Sequence, residues 1–188
     1  MQQHRSWPLI VLLVLGLGHA AQAGELLGAN VERRDNHFLL DLNMRIQGKA
    51  NDVYRVLLDF KHLPSLNDAI KSVQVLEHKG NVYRVRIDVE GCVWIFCRRV
   101  TQVQTVTALH YGYIVGIVDP AQSDFRYGRT LWPVIDEGKY TRVQYNADFV
   151  PAFWVPPVIG SYLFKRRMLE EGRKTINGIE RRLHTRSP

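Results

Sequence analysis

Residues 50–66 read ANDVYRVLLDFKHLPSL, and this stretch does more than any other to indicate the fold of the chain. Its apolar side chains recur at the spacing of one helical face, at Val53, Val56, Leu57 and Phe60. An amide residue and a carboxylate residue at its start suit a first helical turn, so the pattern predicts a short helix over residues 51–59. Pro64 then interrupts the pattern, and residues 65–70 are predicted to form a second short helix.

Alternation of apolar and polar residues, which is typical of a half-buried strand, precedes this stretch at residues 38–47. A turn signal at Asp35-Asn36 allows residues 31–34 to pair back on that strand as a hairpin. After residue 70 strand-like segments follow one another, separated by turns rich in glycine, asparagine and aspartate. They predict five or six further strands, over residues 72–77, 82–89, 98–106, 109–118, 125–134 and 140–149.

The chain closes with a long predicted helix over residues 158–183, preceded by a proline-rich segment at residues 151–157. Basic residues cover most of this helix, and an apolar stripe runs along it at Met168, Gly172, Ile176, Ile179 and Leu183. The predicted order is therefore one strand, two short helices, an antiparallel meander of strands and one long helix. A curved antiparallel sheet of this kind has one face to bury, and a single amphipathic helix can cover it.

This order resembles the START / polyketide-cyclase superfamily, whose α+β fold is called a helix-grip, over about residues 38–184. Residues 50–66 are similar to the family's helix, acidic residue and proline, and residues 73–77 are similar to the strand that follows. The resemblance implies a curved antiparallel sheet of about seven strands wrapped around the long C-terminal helix, with two short helices after the first strand. The coenzyme Q-binding and lipid-transport branches are the most similar.

The resemblance also implies a cavity between the sheet and the last helix, lined by apolar side chains and a few polar groups. The residues that we expect to line it are Gly172, Met168, Ile176, Tyr145 and Arg129. Gly172 has two interpretations, because a glycine on the helix stripe either leaves space for a ligand or allows the helix to pack closely on a strand. Arg129 shares its alternation with Phe125 and Leu131, so it is the charged residue that we expect inside.

The N-terminal residues 1–23 have the features of a secretory signal peptide. A short basic start precedes an apolar run of about eleven residues, and Ala21-Gln22-Ala23 forms a cleavage site. The run is shorter than the roughly 20 residues of a membrane span, and an uncleaved N-terminal anchor is the main alternative. The sequence thus predicts a periplasmic protein whose mature part, residues 24–188, is a single START/polyketide-cyclase-like domain.

The chain has two cysteines, Cys92 and Cys97, on either side of the tetrapeptide Val-Trp-Ile-Phe. In an exported protein a neighbouring pair of this kind is usually a disulfide. In a straight strand the two Cα atoms would lie about 16 Å apart, too far for a disulfide, so oxidation predicts that the segment folds into a loop. Free structural thiols are the alternative, and two cysteines alone lack the further ligands of a closed metal site.

By the same resemblance, three segments are expected around one end of the cavity: residues 92–97, 119–124 and 151–157. Aromatic side chains in two of them form the expected rim, namely Trp94, Phe96, Phe153 and Trp154. A basic cluster at residues 165–167 follows, and aromatic residues beside cations suit contact with lipid headgroups. The alternative is that these aromatic residues simply cover the core.

Charge and motifs argue against several classes of function. The net charge of +7 is spread along the chain without a block of lysine and arginine, so nucleic acid is not an expected partner. The chain has no glycine-rich phosphate loop, nucleophile elbow or metal-ligand spacing, so we predict no cofactor, no metal and no catalytic residue.

The leading hypothesis is an exported protein that binds or transfers a hydrophobic small molecule, a lipid or isoprenoid, with peripheral contact of its rim to a membrane. The alternatives are a cyclase or dehydratase that uses the same cavity, and a module that binds a protein partner.

Overall fold

The computed structural model describes residues 24–93, 95–156 and 161–186, so the predicted signal peptide and Trp94 lie outside the described residues. The described elements follow one another as β1 (Glu25–Arg34), β2 (His37–Gln47), α1 (Ala50–Leu57), a 3₁₀-helix (Phe60–Ser65), β3 (Ile70–Lys79), β4 (Val82–Val93), β5 (Phe96–Leu109), β6 (Tyr113–Val118), β7 (Phe125–Glu137), β8 (Tyr140–Pro151) and α2 (Ser161–Arg186). Two single 3₁₀ turns, His110–Gly112 and Pro120–Gln122, lie on either side of β6.

The strands form one antiparallel sheet in the order β1-β2-β8-β7-β6-β5-β4-β3. The long helix α2 packs across one face of this sheet and contacts β1, β2, β4 and α1. This arrangement confirms the predicted helix-grip fold. The described part of the chain has eight strands where about seven were predicted, because β1 pairs with β2 along almost its whole length rather than over residues 31–34 alone.

The second short helix does not lie where the sequence places it. It spans Phe60–Ser65 instead of residues 65–70, and Pro64 lies inside it rather than before it. A proline is tolerated there because a 3₁₀-helix of six residues has few internal hydrogen bonds to lose. Asn67 then closes a turn by accepting a hydrogen bond from the Ala69 N–H at 2.9 Å, and the chain continues directly into β3.

Close backbone contact holds α2 against the chain that follows the 3₁₀-helix. Gly178 lies so near Leu66 that a Cβ atom on the glycine would overlap the Leu66 carbonyl group. One and two helical turns earlier, the Asn67 amide donates hydrogen bonds to the Thr175 hydroxyl at 3.0 Å and to the Glu171 carbonyl oxygen at 3.2 Å. These contacts fix the height of α2 above the sheet.

A buried carboxylate holds the other side of α2. Glu180 is only 9% exposed, and its Oε1 accepts hydrogen bonds from the Gly24 and Gln47 N–H groups, both at 2.8 Å. Nearby, Arg182 forms an ion pair with Asp59 at 3.2 Å. The helix is therefore joined to the start of β1, the end of β2 and the loop after α1.

The apolar interior has two clusters of buried residues. The larger one packs α1 and α2 against the sheet and includes Met44, Ile46, Val53, Val143 and Ile176. The smaller one lies towards the other end of the strands and consists of Val31, Leu40, Val118, Ala147 and Phe149. Tyr145 and Met168 contact both clusters, so these two side chains mark the region between them.

Candidate ligand-binding cavity

Two neighbouring cavities lie between the sheet and α2. The inner cavity has a volume of about 260 Å³ and the outer cavity a volume of about 440 Å³. Val89, Met168 and Glu171 line both of them, so these three residues lie between the two spaces. A space of this combined size is in the range that holds a small organic ligand.

The inner cavity is walled mainly by apolar side chains from strands β2 to β7, from α1, from the 3₁₀-helix and from α2. The apolar lining includes Leu42, Met44, Leu57, Phe60, Leu63, Leu66, Ile70, Ile87, Val89, Val106, Ile114 and Trp132. Three of the residues expected from the sequence, Gly172, Met168 and Tyr145, also line it. A Cβ atom on Gly172 would lie 3.1 Å from Leu26 and 3.2 Å from Leu42, so this glycine borders the cavity and allows close helix–sheet packing at the same time.

Two residues expected in the cavity lie elsewhere, which corrects the sequence prediction. Arg129 is exposed, because the pairing of β7 with β8 shifts between Phe125 and Tyr127 and reverses the alternation of the strand after that point. Gly128 and Thr130 face inwards instead, and Arg129 lies on the outer face of the sheet. Ile176 is only 1% exposed and belongs to the larger apolar core, beyond the end of the cavity lining.

Sequence reasoning missed the polar residues of the inner cavity. Gln102 and Gln104 on β5 line the cavity, while Val103 between them is 1% exposed on the opposite side of the strand. Val103 is buried there because the loop that begins at Asp119 folds over it, with the Asp119 N–H donating to the Val103 carbonyl oxygen at 2.8 Å. In a half-buried strand the apolar residues usually face the interior and the polar residues face solvent. Here the glutamines face the cavity and the valine lies on the outer face, so the strand pattern did not indicate this site.

Burial affects the chemistry of Tyr145. Its ring lies beside the Trp132 ring, with 4.3 Å between the centroids, and protein surrounds the side chain. Loss of water around the hydroxyl raises its pKa well above the usual value of 10.0. The hydroxyl therefore stays neutral at physiological pH, where it can donate and accept hydrogen bonds but does not act as a base.

An ion pair stands at the junction of the two cavities. Glu171 Oε1 forms an ion pair with Arg167 Nη2 at 2.7 Å and accepts a hydrogen bond from Lys174 Nζ at 3.3 Å. Arg167 lines the outer cavity, whereas Glu171 lines both. Glu171 Oε2, by contrast, is buried and has no hydrogen-bond partner among the described residues, so one oxygen of this carboxylate is paired and the other is not.

The mouth of the outer cavity is formed by the β4–β5 hairpin and the segment before α2. Cys92 and Cys97 lie directly opposite each other in the hairpin and form a disulfide, so the predicted pairing is confirmed. The predicted loop is a tight reversal between Val93 and Phe96 rather than a longer excursion. The paired strands bring the cysteines together, which an isolated straight strand could not do.

The expected rim residues have different surroundings. Trp154 and Phe96 are 73% and 38% exposed, and both line the mouth of the outer cavity. Phe153 is half-buried there between the Arg98 guanidinium and the Phe125 ring. Trp94, the fourth expected rim residue, lies outside the described residues. Two further exposed side chains are Ile95 in the turn of the hairpin and Tyr162 in the first turn of α2, which are 70% and 76% exposed.

Cations lie beside this apolar mouth. Of the predicted basic cluster at residues 165–167, Lys165 and Arg166 are exposed, while Arg167 forms ion pairs with Glu170 and Glu171. The surface at this end of the molecule thus combines exposed aromatic side chains with two exposed cations on the first turns of α2. That combination is the one that favours contact with anionic lipid headgroups.

A third, open depression of about 850 Å³ lies at the α1 end of the sheet. It shares no lining residue with either cavity, and His110 and the 96% exposed Tyr111 lie in its wall.

Within the described ranges, no three histidine, cysteine, aspartate or glutamate side chains are grouped as they would be around a metal ion. None of the helices in the described part of the chain has the length and apolar composition of a membrane span.

Similarity to known proteins supports the same fold. The family model for polyketide cyclase / dehydrase and lipid transport proteins matches residues 46–170. No curated protein sequence matches the chain. Among solved structures, the Zhui aromatase/cyclase from Streptomyces sp. R1128 has a TM-score of 0.64 at 14% identity, covering 80% of this chain and 95% of its own.

Two further structures come from other bacteria. A START superfamily protein from Mycobacterium smegmatis has a TM-score of 0.62 at 17% identity, covering 79% of this chain and 99% of its own. A STAR-related lipid transfer protein from Xanthomonas axonopodis has a TM-score of 0.55 at 13% identity, covering 84% of this chain and 99% of its own. At these identities the likeness shows the fold alone. The family model spans most of the domain described above, and the chain therefore belongs to the polyketide cyclase / dehydrase and lipid transport family.

Proposed function

We propose that this protein binds a hydrophobic small molecule between the sheet and α2 and exchanges it with a membrane. The observation that carries the proposal is an apolar inner cavity directly beside an outer cavity whose mouth is lined by exposed aromatic side chains. An empty apolar space of this size would leave its wall without van der Waals partners, which a bound apolar molecule supplies. Relatives of the same fold include a protein described as a lipid transfer protein.

The mouth is the surface that we expect to face the membrane. Trp154, Tyr162 and Ile95 each expose at least 70% of their surface, which is costly in water unless something covers them. Lys165 and Arg166 are exposed on the first turns of α2, and each such cation near an anionic bilayer contributes about 1 kcal/mol of attraction. Since the same mouth opens into the outer cavity, a ligand that leaves it would enter the bilayer without crossing water.

We further propose that the protein acts in the periplasm after removal of residues 1–23. The features of the N-terminal sequence support export, and the Cys92–Cys97 disulfide fits an oxidising compartment. A periplasmic carrier of an apolar molecule needs both a shielded cavity and a way to reach a membrane surface. The cavity and the mouth supply these two features on one domain.

The test is co-sedimentation of the purified protein with liposomes containing anionic lipid, followed by extraction of the protein with organic solvent. We expect wild-type protein to sediment with the liposomes and to release a hydrophobic molecule on extraction. Trp154→Ala, alone or with Trp94→Ala, should reduce sedimentation severalfold. The matched control is Tyr111→Ala, which removes a 96% exposed aromatic side chain from the other end of the molecule. Absence of both liposome binding and an extractable molecule contradicts the proposal.

A further inference from the structure

The strand β3 forms one edge of the sheet, and its outer side is open. Among the described residues it pairs with β4 alone, whereas β1 at the opposite edge lies against α2. Eight of its ten residues are exposed, including Val75 at 43% and Leu76 at 38%. An edge strand presents unpaired N–H and C=O groups to any strand that can lie beside it. The open edge of β3 is therefore a surface that another strand can extend.

The register of β3 with β4 shows which residues present these groups. The Glu90 N–H donates a hydrogen bond to the Ala69 carbonyl oxygen at 2.8 Å, so Glu90 directs its backbone groups towards β3. On an antiparallel strand every second residue does so, and the residues between them do not. Val73 and Val75 lie opposite two of the intervening residues of β4. Both valines therefore direct their N–H and C=O groups away from β4, towards the open edge.

The residues of β3 suit pairing with a second copy of the same strand. If two copies pair antiparallel about Gln74, Val73 of each copy lies opposite Val75 of the other, and the two pairs exchange four backbone hydrogen bonds. In the same register Lys71 lies opposite Glu77 of the second copy, and this pair also occurs twice. An opposite-charge pair across two strands stabilises their pairing. The strand is thus complementary to itself in both hydrogen bonding and charge.

Both charges lie on the outer face of the sheet, where they can meet. Val85 of β4 is fully buried, so its neighbour Arg84 lies on the outer face, and Glu77 lies directly opposite Arg84. Lys71 Nζ lies 4.0 Å from Glu90, which the alternation of β4 places on the same face. Glu77 makes no ion pair with another described residue, so its carboxylate is available to a second copy.

Other registers satisfy the charges less well. A symmetry axis through Val75 would place Lys71 opposite Lys79, and like charges at opposite positions are unfavourable. An axis through Val73 would place Lys71 opposite Val75 and leave Glu77 beyond the end of the second strand. Pairing about Gln74 therefore fits the sequence of β3 best.

Two register shifts keep this pairing short. β3 departs from regular pairing with β4 between Ile70 and Ser72 and again between Val75 and Glu77, and such bulges bend an edge strand. The regular segment between them is long enough for the four hydrogen bonds but too short for a large interface. Weak association is expected, with a dissociation constant of about 100 µM.

We infer that two copies of this protein associate through β3 into a symmetric dimer with one continuous sheet. Ile70 at the start of β3 pairs with Val89, which lines the outer cavity, whereas the turn after Lys79 contacts Ala108 in the depression at the α1 end. Antiparallel pairing thus points the two cavity mouths in opposite directions, so one mouth faces a membrane while the other is turned away. This inference does not depend on the proposed function.

Sedimentation equilibrium of protein purified from the periplasm measures the association, at concentrations from about 10 µM to about 1 mM. We expect the wild type to pass from monomer to dimer over this range. Lys71→Glu should weaken association about tenfold, because two attractive pairs become repulsive. The exchange variant Lys71→Glu/Glu77→Lys should restore it. The matched control Lys79→Glu makes the same change of charge at an exposed position that has no charged partner in this register, so it should associate like the wild type.

A cysteine at the symmetry axis tests the register. The two copies of residue 74 form a pair without mutual hydrogen bonds, with Cα atoms about 4.5 Å apart, which a disulfide can span. The two copies of residue 76 would lie about 13 Å apart, because four residue steps separate them along the strands. Under mild oxidation Gln74→Cys should therefore form a covalent dimer at least about tenfold faster than Leu76→Cys.

Each outcome decides the inference. Wild-type protein that stays monomeric up to about 1 mM overturns it, and so do equal cross-linking rates of the two cysteine variants. Association that is unchanged in Lys71→Glu, or that the exchange variant does not restore, lies on another surface and also overturns it. If a charge variant does not fold, the comparison of the two cysteine variants decides. A monomer that still binds liposomes and releases a hydrophobic molecule removes the inference and leaves the proposed function standing.

Discussion

The Arg98 guanidinium lies over the Phe153 ring, 4.0 Å from the ring centroid. Arg98 follows Cys97 directly on β5, and Phe153 belongs to the segment that leads into α2, so this contact joins the two sides of the cavity mouth. A cation–π contact at an exposed site contributes about 0.5–1 kcal/mol, so it stabilises the contact between the two sides of the mouth only weakly. The disulfide one residue away therefore acts locally: it fixes the position of the hairpin from which the Arg98 side chain contacts Phe153.

Removal of the disulfide should affect the mouth more than the fold. A disulfide that closes so short a loop contributes at most about 2 kcal/mol through chain entropy, so Cys92→Ser/Cys97→Ser should lower the free energy of unfolding by no more than this amount. Liposome binding should fall severalfold, since Phe96 and Ile95 lose their fixed position on the hairpin. Urea denaturation and co-sedimentation measure the two effects. A variant that binds liposomes like the wild type would show that the hairpin does not contact the membrane.

The two glycines of α2 should respond differently to alanine. Gly178→Ala places a methyl group on the backbone of Leu66, so we expect a loss of about 2 kcal/mol or more in the free energy of unfolding. Gly172→Ala meets only the ends of the Leu26 and Leu42 side chains at 3.1 Å and 3.2 Å. There the gain of up to about 1 kcal/mol in helix propensity should offset the crowding. Thermal denaturation of the two variants distinguishes a backbone contact from a side-chain contact, and each variant is the control for the other. Equal losses in the free energy of unfolding would contradict this account.

Processing of the N-terminus should strengthen the attachment of α2. If the leader is removed after Ala23, the Gly24 nitrogen becomes an ammonium group 2.8 Å from the buried Glu180 carboxylate. Protein that begins at Gly24 should then be more stable, by about 1 kcal/mol, than the same protein with one extra residue before Gly24. The difference should disappear in Glu180→Gln. Equal stability of the two wild-type forms would contradict the expected ion pair.

Stability at high pH should depend on Tyr145. Burial raises its pKa in the folded protein above the value of 10.0, so the unfolded chain loses this proton first as the pH rises. The contribution of the neutral hydroxyl is complete below pH 10 and declines above it, by up to about 1.4 kcal/mol for each pH unit. Wild-type protein should therefore lose more stability between pH 9 and pH 11 than Tyr145→Phe in urea titrations. Parallel losses would show that the hydroxyl is solvated in the folded state.

Several features of the fold are predictable from the sequence for physical reasons. The helical spacing in residues 50–66 and the alternation of the flanking strands are local patterns, and they are retained in α1 and in the sheet. The place of Tyr145, Met168 and Gly172 beside the cavity was implied by the family resemblance, and the structure has all three in the lining. The pairing of Cys92 with Cys97 follows from their spacing once a reversal lies between them.

Features that depend on the meeting of distant segments are not visible in the sequence. Arg129 lies outside because of a register shift in β7, which depends on how β7 meets β8. Gly178 has no evident role along α2, and only its contact with Leu66 explains why this position has no side chain. Gln104, Gly116 and Thr130 are likewise distant in the sequence, and they share the wall of the inner cavity only because β5, β6 and β7 lie side by side.

The most direct test of the central claim is native mass spectrometry of protein purified from the periplasm, with one variant that fills the cavity and one that does not. Ile87→Trp places a large ring in the inner cavity, and Ile135→Trp makes the same change at a position that is 41% exposed and outside both cavities. We predict that the wild type and Ile135→Trp carry the mass of a bound small molecule and that Ile87→Trp does not. A wild-type protein without added mass, or a bound molecule that persists in Ile87→Trp, would contradict the account.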